Sequence, residues 1–186
     1  TEGIIALSAC LAGPISRPLM KGEYKEALSK AKEYSNMFPD NFYIEIQRNG
    51  MDEQNKVNEG LIKIAKELKL PLVATCDSHY LNKEDAEIQE ILWCISDGYT
   101  MEDPNRRRMP TNEFYVKTPE EMQELFKDIP EAIENTQKIA DSIEEYSIVF
   151  DRVEVPYLDL PEGETGESYL RKLTFEGAKV KYGEIT

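Results

Sequence analysis

The feature that most constrains the fold is a regular alternation of short apolar segments with amphipathic segments in the first half of the chain. Residues 3–8, 42–46 and 72–75 are short and rich in branched or aromatic side chains, which is typical of buried strands. The stretches between them, about 23–37 and 52–68, carry apolar residues at helical spacing. Short connections between such elements favour right-handed parallel β/α units, so the sequence predicts an α/β sheet or barrel.

The rest of the chain is predicted to be mainly helical. Its periodicity predicts helices at about 83–96, 119–127, 130–145 and 167–181, and extended segments at 112–117 and 153–160. The third helix of the chain takes its apolar positions from Ala86, Ile88, Ile91, Leu92 and Ile95. The pattern changes between about 102 and 112, which divides the chain into residues 1–105 and 106–186.

Composition excludes several classes of protein. The chain has 186 residues, of which 40% are hydrophobic and 31% charged, as is typical of a soluble globular protein. A net charge of −14 argues against binding nucleic acid unaided, because Lys and Arg supply most of that affinity. The one basic cluster, Arg106–Arg108, is interpreted as a salt-bridged loop, with a phosphate or interdomain contact as the alternative. With no membrane-length apolar run and no signal peptide, a cytoplasmic location and no membrane partner are expected.

Polar side chains follow each predicted strand, where the loops of a parallel sheet open onto one face. Asp77 and His79 follow the third strand and are two residues apart. If the extended conformation continued, both would point the same way and a carboxylate and an imidazole would share one cation. The alternative for His79, the only histidine, is ordinary hydrogen-bonded packing.

Two further residues are candidates for the site. Cys10 follows the first predicted strand, and Glu45 lies on the second. Cys10 is a third candidate ligand, because a thiolate binds borderline and soft divalent metals, and the alternative is a small buried residue. Glu45 shares a strand face with polar neighbours, so its carboxylate must be paired if that face is buried. Glu45 is interpreted as a structural partner or as a group near substrate or metal. Cys76 and Cys94 are interpreted as packing residues, and all three cysteines as free thiols.

Several segments together resemble a known family. Residues 4–13 (IIALSACLAG), 42–47 (FYIEIQ), 54–61 and 72–81 (LVATCDSHYL) are similar to the second half of the PHP domain at the front of bacterial DNA polymerase III alpha subunits. Residues 100–106, 114–122 and 129–136 resemble the segment that leads into the polymerase core. The resemblance covers essentially the whole chain. It implies a partial PHP-type, distorted β/α barrel, followed by a helical connector and the start of the polymerase core.

The resemblance also implies a metal site that gathers ligands from several strand ends. Cys10, Asp77 and His79 match positions of that site, and Zn, Mn or Mg ions are the implied cofactors, with Mg for the parent polymerase. Asn49 stands where some relatives carry histidine. Asn49 and Glu45 are therefore candidates for contacting the substrate or the metal ligands.

The implied function is a piece of a replicative DNA-directed DNA polymerase. The family's His-x-His motif is implied to precede Thr1 and its polymerase aspartates to follow Thr186, so this chain alone is expected to be inactive. The PHP part would be a metal-dependent phosphoesterase or 3′→5′ exonuclease-like site, or its remnant. Implied partners are the rest of the polymerase chain, DNA bound through it, a proofreading exonuclease subunit and other replisome subunits. A free-standing PHP phosphoesterase for a small phosphate monoester and a non-catalytic scaffold remain alternatives.

Overall fold

The computed structural model describes residues 3–146 and 159–183. The chain divides into two compact units, Thr1–Glu144 and Glu145–Thr186. The predicted extended segment at 153–160 lies mostly outside the described residues. The predicted division between residues 105 and 106 stays a prediction.

The order of the elements follows the predicted alternation. The first unit contains the strands β1 (Ala6–Leu7), β2 (Phe42–Gln47) and β3 (Leu72–Thr75) and the helices α1 (Ser16–Met20), α2 (Tyr24–Met37), α3 (Asp52–Leu68), α4 (Ala86–Asp97), α5 (Pro119–Leu125) and α6 (Pro130–Asp141). The second unit contains α7 (Gly166–Tyr182). A 3₁₀ turn at Lys83–Asp85 precedes α4. Helix α1 was not predicted, because five residues are too few to show a period.

The three strands form one parallel sheet with β2 in the centre. Ala6 pairs with Phe42 across β1 and β2, and Gln47 pairs with Thr75 across β2 and β3. All three strands therefore end at the same edge of the sheet. The α/β prediction is confirmed.

Helix α3 covers one face of the sheet with its apolar stripe. Val57, Leu61 and Ile64 belong to the same buried cluster as Ile44 and Ile46 of β2. The helix begins with acidic residues in its first turn, which favour the positive end of the helix dipole. It ends where Lys69 adopts a left-handed conformation and donates its N–H to the carbonyl of Ala65.

Helices α5 and α6 belong to the same core. Phe126, which follows α5, and Ala132 of α6 are fully buried in the cluster of the sheet and α3. Thr118 caps α5 through a capping box with Glu121. The Asn135 side chain donates to the carbonyl of Leu72 at 2.7 Å, so α6 also contacts the outer side of β3. The predicted helices of this region are confirmed.

Helix α4 leaves its apolar stripe in solvent. Ile88, Ile91, Leu92 and Ile95 are all exposed, and Cys94 is the one buried residue of the helix. Cys94 is therefore a packing residue, as predicted. In the part of the chain that the structure describes, no helix is long and apolar enough to cross a membrane.

The basic cluster is a salt-bridged loop, as predicted. Arg106 forms an ion pair with Glu90 of α4, and Arg107 pairs with Asp97 at 3.3 Å while its guanidinium lies 4.2 Å from the ring centroid of Trp93. Burial raises the pKa of Glu90, but hydrogen bonds from Arg106 and the Met109 N–H outweigh it and hold the pKa below its ordinary value. The loop therefore holds the polar side of α4.

Candidate functional site

A tight turn after β1 presents Cys10. Ala9 adopts a left-handed conformation with φ of 64°, and the Gly13 N–H donates to the Cys10 carbonyl at 2.9 Å. A Cβ atom at Gly13 would lie 2.7 Å from the carbonyl oxygen of Ser8 and 3.0 Å from that of Cys10. Only glycine fits there without moving the turn, so Gly13 fixes the backbone that carries the Cys10 thiol.

Cys10 and Glu45 line one small cleft. The Glu45 carboxylate accepts hydrogen bonds from the Gln47 amide at 3.1 Å and from the Thr75 hydroxyl at 2.5 Å. Its backbone N–H donates to the Ser8 hydroxyl at 2.8 Å. The prediction that this carboxylate is paired is confirmed, while its role toward a substrate or metal stays a prediction.

The third strand ends before the Asp-x-His pair, and the backbone then turns. Asp77 has a φ of 51°, in the left-handed region, so the extended conformation does not continue to His79. The prediction that both side chains point the same way required an extended backbone from Asp77 to His79, and this condition is not met. The short side chain of aspartate tolerates this conformation better than most residues do.

The turn instead places the backbone carbonyl of Asp77 beside the ring of His79. The Nδ1 atom of His79 lies 2.8 Å from the carbonyl oxygen of Asp77, which only accepts, so Nδ1 carries the proton when this bond forms. The backbone N–H of His79 donates to the Phe114 carbonyl at 2.7 Å, and the ring packs edge-on against that of Phe114, with the centroids 5.4 Å apart. The Nε2 lone pair of an exposed imidazole remains for a ligand, a pattern typical of metal-binding histidines.

Asn49 joins three parts of the site. Its side-chain amide donates to the carbonyls of Cys76 and Glu113, both at 2.9 Å, and its side-chain oxygen accepts from Gln54 at 2.9 Å. Its backbone carbonyl accepts from the Thr111 hydroxyl at 2.5 Å. These bonds tie the ends of β2 and β3 to the segment at 111–113. They give Asn49 a structural role, and its contact with a substrate or metal ligand stays a prediction.

The segment at 113–121 also lies beside the candidate residues, which the sequence analysis did not predict. The Glu113 carboxylate pairs with Lys83 and Lys117, and hydrogen bonding to Lys83 is the main cause of its lowered pKa. The Tyr115 hydroxyl donates to Glu121 at 2.7 Å, which is the main reason that the pKa of Tyr115 rises to about 12. Tyr115 forms a parallel β-bridge with Tyr80, in the segment that follows β3, and no local sequence pattern indicates this long-range pairing.

The residues do not complete a metal centre by themselves. Cys10 lies in the cleft with Glu45, while Asp77 and His79 lie in the turn against Phe114. Within residues 3–146 and 159–183, no three His, Cys, Asp or Glu side chains are grouped so that they could hold a metal ion. The sulfur, oxygen and nitrogen atoms of these three residues could supply some of the ligands of a metal ion, but they do not form a complete ligand set. The assignment of Cys10, Asp77 and His79 as ligands stays a prediction.

Comparison with known proteins relates the chain to a DNA polymerase subunit. Residues 1–49 match the model of the PHP domain. The DNA polymerase III subunit alpha of Borreliella burgdorferi is 43% identical to the chain, over 100% of this chain and 16% of the relative. The subunit of the same name from Thermus aquaticus is 40% identical over 97% of this chain and 15% of the relative. That from Helicobacter pylori strain 26695 is 45% identical over 76% of this chain and 12% of the relative.

The chain thus spans about one-sixth or less of the length of these curated relatives, 12–16% of each. The similarity to the subunits of Borreliella burgdorferi and Thermus aquaticus runs through both the parallel sheet and the helical region after it. The predicted resemblance is therefore confirmed: over its whole length this chain is similar to a segment of the DNA polymerase III alpha subunit, and residues 1–49 match the PHP domain.

Proposed function

We propose that this chain is part of a replicative DNA-directed DNA polymerase, a nucleotidyltransferase of the cytoplasm that uses Mg. The observation that carries the proposal is the 43% identity to a DNA polymerase III subunit alpha over the whole chain. The rest of the polymerase chain would then be its first partner, with DNA bound through that chain. A polymerase setting also accounts for the net charge of −14, since the DNA would be held by other parts of the polypeptide.

A chimeric polymerase tests this role. The corresponding segment of the Thermus aquaticus subunit, which is 40% identical, is replaced by this chain, and primer extension is measured. We expect extension within about tenfold of the parent. A matched chimera that carries Ile64→Asp, a charge in the buried core, is the control and should lose activity. An inactive but folded first chimera would contradict the proposal.

We further propose that Cys10, Asp77 and His79 contribute to a PHP-type metal site for phosphoester hydrolysis, of the 3′→5′ exonuclease kind or its remnant. The supporting observation is the Asp77 carbonyl that holds the proton of His79 on Nδ1. This bond orients the imidazole and leaves the lone pair of Nε2 to bind a metal ion. A metal ion bound there would activate water and stabilise negative charge on phosphate.

Metal binding by the chimeric polymerase, in which the parent supplies the rest of the ligand set, tests the site directly. We expect Zn²⁺ or Mn²⁺ affinity in equilibrium dialysis to fall at least about tenfold in His79→Ala and in Asp77→Asn. Asparagine is chosen because it tolerates the left-handed conformation of Asp77, whereas alanine would also strain the turn. Glu87→Gln, which removes a charge from an exposed position on α4, is the matched control. Equal affinity in all variants would contradict the ligand assignment.

The non-catalytic scaffold is a second candidate because of α4. Its exposed stripe of Ile88, Ile91, Leu92 and Ile95 is the kind of surface that marks a protein contact. A proofreading exonuclease subunit, another replisome subunit or the rest of the polymerase would be the partner. If metal binding is absent and Ile95→Asp abolishes copurification with a polymerase or exonuclease subunit, the scaffold replaces the hydrolase. The free-standing phosphoesterase is the weakest alternative, since the similarity to polymerase subunits continues after residue 105.

A further inference from the structure

A buried hydroxyl in the Cys10 cleft has no protein partner. Ser16, the first residue of α1, is 1% exposed. Among the buried side-chain oxygen and nitrogen atoms of the described residues, its Oγ atom is the one that has no hydrogen-bond partner. Buried polar atoms without any partner are rare in folded proteins, because the lost hydration is not replaced. The hydroxyl therefore points to an occupant of the space beside it.

That space is small, and polar side chains line part of it while apolar ones line the rest. Ser16 lines the cleft together with Cys10, Glu45, Gln47 and Asn58. The free volume within the cleft is about 10 Å³, which corresponds to about one water-sized sphere. Any organic ligand is too large for it.

The Ser16 hydroxyl lacks a partner, and two residues that line the same cleft, Glu45 and Asn58, carry hydrogen-bond acceptors. One Glu45 oxygen accepts from Gln47 and Thr75, and the Asn58 amide donates to the Gln47 carbonyl at 2.8 Å. The second Glu45 oxygen and the Asn58 side-chain oxygen are acceptors. A water molecule satisfies this set, since it accepts from a hydroxyl and donates to two oxygens.

We propose that one ordered water molecule occupies the cleft and links the Ser16 hydroxyl to the wall formed by Glu45 and Asn58. It would connect α1 to β2 and α3 directly beside the turn that carries Cys10. Ser16 is thus a positioning residue for this turn. The proposal does not depend on metal binding at Asp77 and His79, so the two can fail separately.

The sign of one stability change tests the proposal. If the cleft is dry, Ser16→Ala removes an unpartnered hydroxyl and the Tm of the chain rises. If the water is present, the variant removes one of its partners, and we expect the Tm to fall by about 2–4 °C. Ser142→Ala, at an exposed hydroxyl that bonds the Ile139 carbonyl, is the control and should shift the Tm by less than about 1 °C.

A crystal structure completes the test. We expect density for one water within hydrogen-bonding distance of the Ser16 oxygen, and its loss in Ser16→Ala. A Tm that stays constant or rises in Ser16→Ala would overturn the proposal. A wild-type Tm that falls in EDTA, while that of Cys10→Ser does not, would overturn it as well, because the occupant would then be a cation.

Discussion

Helices α3 and α4 both have an apolar stripe in the sequence, yet only that of α3 is covered. Ile64 of α3 is 0% exposed, whereas Ile95 of α4 is 74% exposed. The spacing of apolar residues decides that each helix forms and which of its faces is apolar. Whether anything packs on that face depends on the rest of the fold, which the spacing does not contain.

The two helices are also held by different forces. α3 packs on the sheet through buried side chains, while α4 is attached to the loop at 100–109 through the ion pair of Glu90 and Arg106. Mutations in the two helices should therefore differ in size and in their dependence on pH.

The largest effect is expected in α3. Ile64→Ala leaves a cavity in a closely packed core and should lower the free energy of unfolding by about 3 kcal/mol, within the usual range of 2–5. Urea denaturation measures the change. Ile95→Ala, the same substitution on the exposed stripe of α4, is the matched control. A cost below about 1 kcal/mol at Ile64 would mean that the two helices are not packed differently.

The next effect is expected at the polar attachment of α4. The side chains of Arg106 and Glu90 are only 8% and 16% exposed, so Arg106→Met leaves a mostly buried carboxylate without its ion-pair partner and with only the Met109 N–H bonded to it. We expect a loss of about 2–3 kcal/mol, measured by urea denaturation. Arg108→Met, an exposed neighbour in the same loop, should change stability by less than about 0.5 kcal/mol. Equal effects at the two arginines would refute the polar attachment.

The contributions of the two helices to stability should also differ in their dependence on pH. The pKa of Glu90 is held below its ordinary value of 4.5, so the pair stabilises the fold above that pH and loses this contribution as the pH falls through the lowered pKa. The stability difference between wild type and Arg106→Met should therefore shrink from pH 7 toward pH 3. The difference between wild type and Ile64→Ala should stay nearly constant, because no charge is involved. Thermal unfolding across this range measures both.

The smallest effect is expected on the exposed stripe. Ile95→Ser should change the free energy of unfolding by less than about 0.5 kcal/mol, because the side chain already lies in water. The same variant should weaken any partner that binds α4, as a pull-down with polymerase subunits would detect. A loss of more than about 1 kcal/mol in the isolated chain would show that the stripe is covered in solution.

The sequence predicted the fold better than the site. Parallel strands and the helices between them follow from apolar spacing, and the pairing of Glu45 follows from its place on a half-buried strand. The left-handed turn at Asp77 was missed, since aspartate occurs in extended and left-handed backbone alike. The bonds of Asn49 with Thr111 and Glu113 were missed because these residues lie more than 60 positions away.

The Asn49 bonds have a consequence for the order of folding. They join residues that are 27, 62 and 64 positions apart, so two long loops must close before the amide has its partners. Contacts of such separation slow folding, whereas the turns of α3 form locally. We expect the amide of His79, which donates to the Phe114 carbonyl, to gain protection from hydrogen exchange later than the amides of α3 during refolding. The end of the sheet that carries the candidate site would then be the last part of it to become ordered.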